Sequence, residues 1–449
     1  MLRKSVFATL SCLGLTSATY AQQEVIPTTP VPSTTPSAAS VHPTDWNPCE
    51  PICEKRGPWQ QVWLSAGYAR WWMSDAPFAT PLATTGAGDF AGALGDPDTR
   101  ILFGDQSLDF GDFNGLRIDA GIWLNQQHTW GLGFGFTGFN KRTFTTIFDS
   151  QTTGPALITR PIFDAQAFQQ VGNIVSDPAS GVSGSLLIEN SARFGGFDVH
   201  VRNNFWNSET LTIDGTIGYR YFKISEKLYL TQNSAFNGGQ TPNPLGIAQP
   251  NTNPDIPDEF VFVPVNSLLI RDSFETRNQI NGLQLGTRAE ARLGAFFVNA
   301  AGKVTLGVNQ QRLNIQGSTS GIIDGNGTTL NATGGLLAVG GQSPPVDGNT
   351  TFVGNLGEQS YNQFIVMPEL GVQFGVQVTS HARVYLGYEW LYINDVIRPG
   401  AQIDQTINPR YVPSNPAFGT LAGPNAPNLP RVRNDFVAQG ISAGLEIQY

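Results

Sequence analysis

Charged side chains recur on one parity of several alternating stretches, and their spacing makes them the first candidates for chemistry. Between Leu116 and Ile122, for example, Arg117 and Asp119 fall between the apolar positions. Period-two alternation places successive side chains on opposite faces of a strand, so the charges of each stretch share one face. The full set is Arg117, Asp119, Asp198, His200, Arg202, Asp214, Arg220, Arg288, Glu290, Arg292, Lys303, Glu369, Arg383, Glu389 and Glu446.

A shared charged face inside a closed sheet allows two interpretations. In the first, opposite charges and hydrogen bonds fill the lumen and neutralise one another. In the second, the same residues line a narrow channel for small polar solutes. About 8 strands leave an interior that side chains just fill, whereas open aqueous channels need about 16 to 18. A chain with about ten strands lies near the filled end of that range, so the first interpretation is the simpler one.

The segment from Gly133 to Gly138 formally matches the G-x-G-x-x-G pattern of dinucleotide-binding loops. That pattern binds a pyrophosphate only where it follows a strand and opens a helix. Here the glycines alternate with Phe134 and Phe136 inside a stretch of period two, and no helical pattern follows. The sequence therefore predicts a strand whose glycines ease close side-chain packing in the lumen.

Other polar groups give little support for metal binding or catalysis. The acidic segment 89–112 could take up calcium, but its spacing fits no EF-hand loop, so a solvated loop is the simpler interpretation. His128 and His381 are scattered, and no Ser/His/Asp arrangement has supporting context. We expect no catalytic residues, no cofactor and no metal site.

Residues 1–21 carry the pattern of a secretory signal peptide. Arg3 and Lys4 form a positively charged start, a mildly apolar middle follows, and Thr19–Ala21 is a small-x-small cleavage site. Residues 22–58 are rich in Pro, Thr and Ser, which build neither a core nor a strand ladder. We predict export, removal of residues 1–21 and a disordered periplasmic tether over 22–58.

Cys49 and Cys53 lie in this tether at a C-x3-C spacing. In an exported protein the simplest interpretation is a local disulfide between them, with a metal or redox site as the alternative. No second cluster of cysteine or histidine supports the alternative.

The clearest strand pattern lies between Phe364 and Ile397. Apolar residues share one parity from Val366 to Val378, and the alternation resumes after the polar turn Thr379–His381. Two such runs joined by a tight turn predict a β-hairpin. Its apolar face ends in aromatic rings, including Tyr388, and such amphipathic rings prefer a membrane interface.

Two local features add detail to this strand pattern. Pro368 falls at a strand position and cannot donate to a ladder, so we expect a bulge or a local break there. The stretch from Trp59 to Met73 carries five aromatic residues near its two ends, the arrangement typical of interfacial girdles.

The order of strand, short turn, strand and long loop repeats along the chain and predicts about ten strands. Long extracellular loops and short periplasmic turns are typical of outer-membrane barrels. The last strand, Arg433 to Tyr449, ends on an aromatic residue and resembles the terminal signal that outer-membrane assembly machinery recognises. The predicted long loops are 74–112, 149–185, 231–264, 317–358 and 394–431.

The composition favours a chain that meets lipid. Charged residues make up 14 % of the chain, below the ~25 % of average domains, while aromatic residues make up 11 % and glycines number 50. Beyond the N-terminus no apolar run approaches the ~18 residues of a transmembrane helix, so a spanning chain must close into a barrel. A net charge of -9 argues against a nucleic-acid partner.

Several segments resemble one family. They are WGLGFGFTGF at Trp130–Phe139, DSFETRNQINGLQLG at Asp272–Gly286, and the run Pro368–Asp404 with its Y-x-x-L-Y-x-x-D-V-x-R-P-G element. Together they resemble the seventh family of β-barrel porins, outer-membrane proteins of planctomycete-type bacteria, from about Trp59 to Tyr449. The resemblance implies an outer-membrane barrel and transfers no catalytic or substrate residues.

The sequence thus predicts an all-β protein, a transmembrane antiparallel up-and-down β-barrel of about 10 strands (about 8 to 12), over residues 59–449. The expected function is passive passage of small polar solutes through a narrow charged lumen. The alternative is a non-conducting surface or structural barrel whose long loops bind extracellular partners. The expected location is the bacterial outer membrane, with its lipids and the barrel-assembly machinery as partners and without nucleic acid.

Overall fold

The structure is a computed structural model that describes most of the chain beyond the N-terminal region. The described residues are 62–87, 92–152, 154–236, 246–250, 260–323, 327–342, 352–419 and 423–448. The predicted signal peptide, the tether with Cys49 and Cys53, and the C-terminal Tyr449 lie outside them.

Ten strands form a closed antiparallel ring in which each strand pairs with its neighbours in chain order. The last strand pairs with the first, with Gly67 opposite Gly444, so the ring is closed. The predicted up-and-down barrel of about ten strands is confirmed. Its strands are β1 (Val62–Met73), β2 (Asp112–Trp123), β3 (Trp130–Phe139), β4 (Val182–Asn207), β5 (Leu211–Phe236), β6 (Ser267–Leu293), β7 (Phe296–Ile322), β8 (Gly357–Gln377), β9 (Ala382–Val396) and β10 (Asn434–Gln448).

The connections alternate between short and long, as the sequence predicts. At the short-turn end the connections are 124–129, 208–210, 294–295 and 378–381, and all the connections at the long-loop end are longer. The long loops contain further strands. The sequence predicts almost all of Arg142–Asp149 as the end of one strand over 130–148, and it predicts none of the others. The further strands are Pro81–Thr85, Arg100–Gly104, Arg142–Asp149, Ile158–Asp164, Gln169–Ser176, Gly246–Pro250, Phe260–Pro264, Thr329–Thr333, Gly340–Gln342, Phe352–Gly354 and Thr406–Ile407.

Helical structure in the described residues consists of short 3-10 turns at Pro178–Ser180, Pro399–Gln402 and Pro409–Tyr411. None of the described residues forms a helix long and apolar enough to cross a membrane.

An apolar band surrounds the ring on its outer face. On β7, the outward positions are apolar or glycine from Phe296 to Val308, and Leu306 and Val308 are exposed. This run measures about 40 Å along the strand, or about 28 Å along the membrane normal at a tilt of about 45°. That height matches the apolar band of about 25 Å in outer-membrane barrels.

The alternation changes phase above this band, towards the long-loop end. On β7, the outward positions become polar at Gln310 and Arg312, while the inward Leu313 and Ile315 are buried. On β5, Tyr219 is outward, whereas Leu228 is buried inside. Above the lipid the outer face meets water, so the apolar residues of these strands turn inward.

One wall of the barrel extends well beyond the membrane. The strands β4 and β5 have 26 residues each and β6 and β7 have 27 each, whereas β1 and β2 have 12 and β3 has 10. A membrane crossing needs only about 9 to 11 residues. The four long strands therefore form a projecting wall against which the long loops can pack.

Two local predictions are right only in part. The break expected at Pro368 is present in the ladder to β9 and absent from the ladder to β7. At Pro368 the ladder to β7 continues without a register shift, with Val304 opposite Pro368, so no bulge forms on that side. The ladder to β9 begins one residue later, at Glu369, which fits a residue without an N–H at its end. Trp63 and Trp71 were expected at the membrane interface, but both are buried inside the barrel.

Candidate functional site: the closed lumen

The middle of the lumen holds a chain of charges centred on Asp198. Its carboxylate contacts His200 Nδ1 at 2.7 Å, an Arg220 guanidinium nitrogen at 3.2 Å and Lys303 Nζ at 3.5 Å. Arg220 continues the chain to Glu369 at 2.9 Å. Strands β4, β5, β7 and β8 contribute these residues, so the ion pairs cross the barrel interior. A charge removed from water is stabilised only by such pairing and hydrogen bonding.

A second cluster lies near the short-turn end around Arg383. Its guanidinium contacts Glu290 at 3.0 Å and Glu446 at 2.7 Å, and it lies over the ring of Phe297 with the central carbon 4.2 Å from the centroid. Arg292 contacts Glu290 at 2.9 Å, with Arg288 at 3.6 Å from the same carboxylate.

The remaining predicted lumen residues form smaller pairs. Arg117 pairs with Glu389, and Arg202 pairs with Asp214. Asp119 accepts a hydrogen bond from the indole nitrogen of Trp63 at 3.0 Å.

Every residue of the charged set that the sequence places on one face makes at least one of these contacts. Arg292 is the most exposed of them, with 48 % of its side chain accessible, because it lies at the short-turn rim beside the end of β6. Within the described residues no group of three or more His, Cys, Asp or Glu side chains is arranged to hold a metal ion.

The space left between these side chains is small. Two cavities lie between them, of about 70 Å³ and about 60 Å³, and Arg117, Lys303 and Glu389 border both. A buried water needs about 10 to 15 Å³ by the same measure, so each cavity holds only a few waters. A hydrated solute does not fit without movement of the side chains.

Glycines on β3 make room for the charged cluster. A Cβ atom on Gly135 would lie 2.7 Å from the Asp198 carboxylate, and one on Gly133 would collide with the His200 ring. Because such distances are far below van der Waals contact, any larger residue at these inward positions would force the His200 ring or the Asp198 carboxylate to move. The predicted strand over the G-x-G-x-x-G match is confirmed. Its glycines Gly133 and Gly135 ease packing in the lumen, whereas Gly138 faces outward.

An apolar layer closes the lumen above the charges, towards the long-loop end. We call it the aromatic plug. Phe194 lies at its centre, with ring centroids 4.7 Å from Phe139, 5.0 Å from Phe113 and 5.9 Å from Phe436. Strands β1, β2 and β3 separate β10 from β4 around the ring, so the Phe194–Phe436 contact crosses the lumen. The members of the plug are Trp71, Phe113, Phe139, Phe194, Phe222 and Phe436, all buried.

The long loops fold over the plug and are held to the projecting wall by buried ion pairs. Arg398 binds Glu226 of β5 through two nitrogens at 2.6 and 2.9 Å and also donates to two backbone carbonyls of the first long loop. Arg160 binds Asp272 of β6 at 2.5 Å. These four side chains are at most 1 % exposed.

Asp272 also holds a third loop, because its other oxygen accepts the backbone N–H groups of residues 336–338 at 2.8 to 2.9 Å. Asn278 exchanges two hydrogen bonds with the backbone of Ile397, at 2.9 and 3.1 Å. We call the loops held in this way the loop cap.

The aromatic plug was not predicted from the sequence. The two buried ion pairs Arg398–Glu226 and Arg160–Asp272, which we call the pins of the loop cap, were not predicted either. The sequence did contain a signal for the plug. Extending the inward parity from Asp198 towards the long-loop end reaches Phe194, and extending it from Arg220 reaches Phe222. The pins could not be predicted, because Arg398 and Glu226 lie far apart in the chain and neither segment indicates which residue pairs with it.

The closed antiparallel ring, its outward apolar band and its charged interior define a transmembrane β-barrel of the outer-membrane type. The chain belongs to the family described as Putative beta barrel porin-7 (BBP7), whose sequence profile matches residues 63–449. The resemblance stated from the sequence is thereby confirmed. A search of curated proteins gives no significant match.

Several solved outer-membrane structures resemble the chain at very low identity. The protease OmpT from Escherichia coli is 8 % identical, with 88 % of this chain and 98 % of that chain covered and a TM-score of 0.37. A FadL homologue from Pseudomonas aeruginosa is 8 % identical, with coverage of 86 % and 90 % and a TM-score of 0.22. The anion-selective porin from Comamonas acidovorans is 8 % identical, with coverage of 86 % and 99 % and a TM-score of 0.17. Scores of this size support no inference about activity or solute.

Proposed function

We propose that this protein is a non-conducting outer-membrane barrel in the conformation described, with the loop cap as its extracellular surface. The observation that carries the proposal is the contact between Phe194 and Phe436 across the lumen, at 5.9 Å between ring centroids. Among the described residues, a layer of buried rings at that level lies between the charged lumen and the loop cap.

The physical argument concerns desolvation. A polar solute that enters the lumen can exchange its water for the charges around Asp198 and Glu369. To leave through the aromatic plug it would lose those partners, at a cost of several kcal/mol for each unpaired polar group. The buried pins add to this barrier, because moving the loop cap would expose or separate two fully buried ion pairs.

Passive passage of small polar solutes is the second candidate function. Two observations favour it: the charged lumen below the plug and the porin description of the family. In this alternative the plug and the loop cap move together to open a narrow path, and the charges of the lumen select the solute.

The proposal includes the location and the partners expected from the sequence. Export, removal of residues 1–21 and insertion by the barrel-assembly machinery would place the short-turn end in the periplasm and the loop cap outside. Lipids of the outer membrane would surround the apolar band, and the loop cap would meet extracellular partners.

Liposome swelling separates the two functions. Purified full-length protein is reconstituted at a known density, its folding is checked by the heat-modifiable gel shift, and the liposomes are placed in iso-osmotic glycine or arabinose. The proposal predicts that liposomes containing the folded protein swell at the same rate as protein-free liposomes. A rate that increases in proportion to the amount of folded protein would instead establish passage.

A further inference from the structure

A groove of about 460 Å³ lies on the outer surface at the upper edge of the apolar band. It forms where β3 ends at Phe139 while β4 and β5 continue into the projecting wall. Gly138 and Gly195 are paired across the strands at this place, so two neighbouring outward positions carry no side chain. The groove is therefore a depression in an otherwise covered surface.

The membrane side of the groove is aromatic. Phe136, Phe197 and Tyr221 line it, and the rings of Phe197 and Tyr221 lie 5.3 Å apart. Phe197 and Tyr221 are also cross-strand partners at the level where the outward positions change from apolar to polar. An apolar trough at that depth suits the upper part of a lipid acyl chain.

The upper side of the groove is cationic. Arg193 and Lys223 line it directly above the aromatic rings. Within the described part of the chain neither makes an ion pair within 4 Å, whereas the outward Arg277, Arg312 and Arg70 each have a carboxylate partner at 3.6, 3.5 and 3.1 Å. Lys223 is close enough to Arg277 and Arg193 to be repelled by both, and the attraction of the Glu275 carboxylate is weaker than either repulsion. An anion between Arg193 and Lys223 would relieve this repulsion.

We propose that this groove binds a phosphate-bearing anionic lipid of the outer leaflet. The phosphate lies between Arg193 and Lys223, and an acyl chain descends along Phe136, Phe197 and Tyr221. Free phosphate would meet the same two cations but would leave the aromatic trough empty, and a zwitterionic lipid would bring its own cation against them. The combination of unpaired cations above an apolar trough therefore favours an anionic lipid over both.

The test uses native mass spectrometry of the folded full-length protein in detergent, titrated with diphosphoryl lipid A or with phosphatidylcholine. The expected result is saturable binding of lipid A and much weaker binding of phosphatidylcholine. Basic residues near an anionic surface contribute about fivefold each, so Arg193→Gln/Lys223→Gln is expected to weaken lipid A binding roughly 30-fold. The control Arg100→Gln/Arg433→Gln removes the same charge from exposed positions outside the groove and is expected to bind normally.

Two further measurements test the groove and its ligand separately. Ser225→Trp fills the groove without changing its charge and is expected to weaken lipid A binding in protein that still shows the heat-modifiable shift. Inorganic phosphate at millimolar concentration is expected not to displace lipid A. Equal lipid A affinity of the Arg193→Gln/Lys223→Gln variant and its control would overturn the site. Displacement by inorganic phosphate, or equal binding of phosphatidylcholine, would overturn the anionic lipid as its ligand.

Discussion

The inward positions of Gly133 and Gly135 show how single residues set the contents of the lumen. The His200 ring and the Asp198 carboxylate occupy the space that a side chain on β3 would need. In the same barrel, the outward Gly302 has open surroundings, because a Cβ atom there would only touch the Leu370 side chain at 3.6 Å. The same residue type therefore has a packing role at one position and none at another.

Gly133→Ala is expected to destabilise the folded barrel by about 1 to 3 kcal/mol, because the added methyl group forces His200 and its partner Asp198 to move. The matched control is Gly302→Ala, which is expected to be neutral or to stabilise by less than about 1 kcal/mol. The measurement is the urea midpoint of each variant in detergent micelles, followed by tryptophan fluorescence. Equal midpoints for the two variants would contradict the packing role of Gly133.

Arg398 provides a second prediction at the residue scale. Arg398→Met leaves the buried carboxylate of Glu226 without its partner, so we expect a loss of about 3 to 5 kcal/mol in the free energy of unfolding. The double variant Arg398→Met/Glu226→Leu removes both charges and is expected to recover a large part of that loss.

The control for the pin is Arg312→Met. Arg312 pairs with Glu358 at 3.5 Å, but both side chains are more than half exposed, at 52 % and 55 %. Exposed pairs contribute at most about 1 kcal/mol. Limited proteolysis of the long loops supplies an independent measurement, since loss of the pin should speed cleavage in Arg398→Met only. Unchanged urea midpoints and cleavage rates would show that the pin does not hold the loop cap.

At the scale of the strands, much of the barrel could be predicted from the sequence. Alternation of period two located the ten ring strands, and the spacing of polar segments gave the pattern of short turns and long loops. The prediction succeeded within the membrane because lipid requires one apolar face on every strand. The charges on the opposite parity then had to share the lumen.

The upper halves of the strands were harder to predict. The predicted loop 231–264 takes in the upper end of β5, which continues to Phe236. Above the membrane the apolar residues move to the other parity, so a strand that crosses the boundary looks like two short patterns or like a loop. The aromatic plug lies just past this change of phase, which is why an interior filled only with charges was expected.

Apart from Arg142–Asp149, the short strands of the long loops could not be predicted because they depend on partners distant in sequence. Thr84 on the first long loop pairs with Thr159 on the second, and Thr406 on the last long loop lies beside Phe163. Each of these strands is short and has little alternation of its own. Its conformation is set by the neighbouring loop rather than by its own sequence.

The closing strand provides the prediction at this scale. Deletion of residues 440–449 removes most of β10, including the positions that pair with β1 from Trp63 to Trp71. We expect the ring to stay open and the protein to be lost from the outer-membrane fraction, because an open edge leaves backbone hydrogen bonds unmade in lipid. Deletion of residues 30–39 from the predicted tether is the control and should insert normally. Normal insertion of the C-terminal deletion, judged by the heat-modifiable gel band, would contradict the closing role of β10.

The whole molecule combines two environments in one sheet. Within the membrane it has an apolar outside and a charged inside, and above the membrane it has a polar outside and an apolar inside. The charged lumen, the aromatic plug and the loop cap are therefore stacked along one axis. Together these three layers close the barrel.

Planar-bilayer recording of the wild-type protein shows whether these layers close the barrel. We expect no discrete conductance steps from folded wild-type barrels, and none from Phe134→Ala/Phe364→Ala, which removes two lipid-facing rings that are 40 % and 60 % exposed. Phe194→Ala/Phe436→Ala removes the contact across the lumen and is expected to produce steps. Discrete and reproducible conductance steps from the wild-type protein would show that the lumen is open.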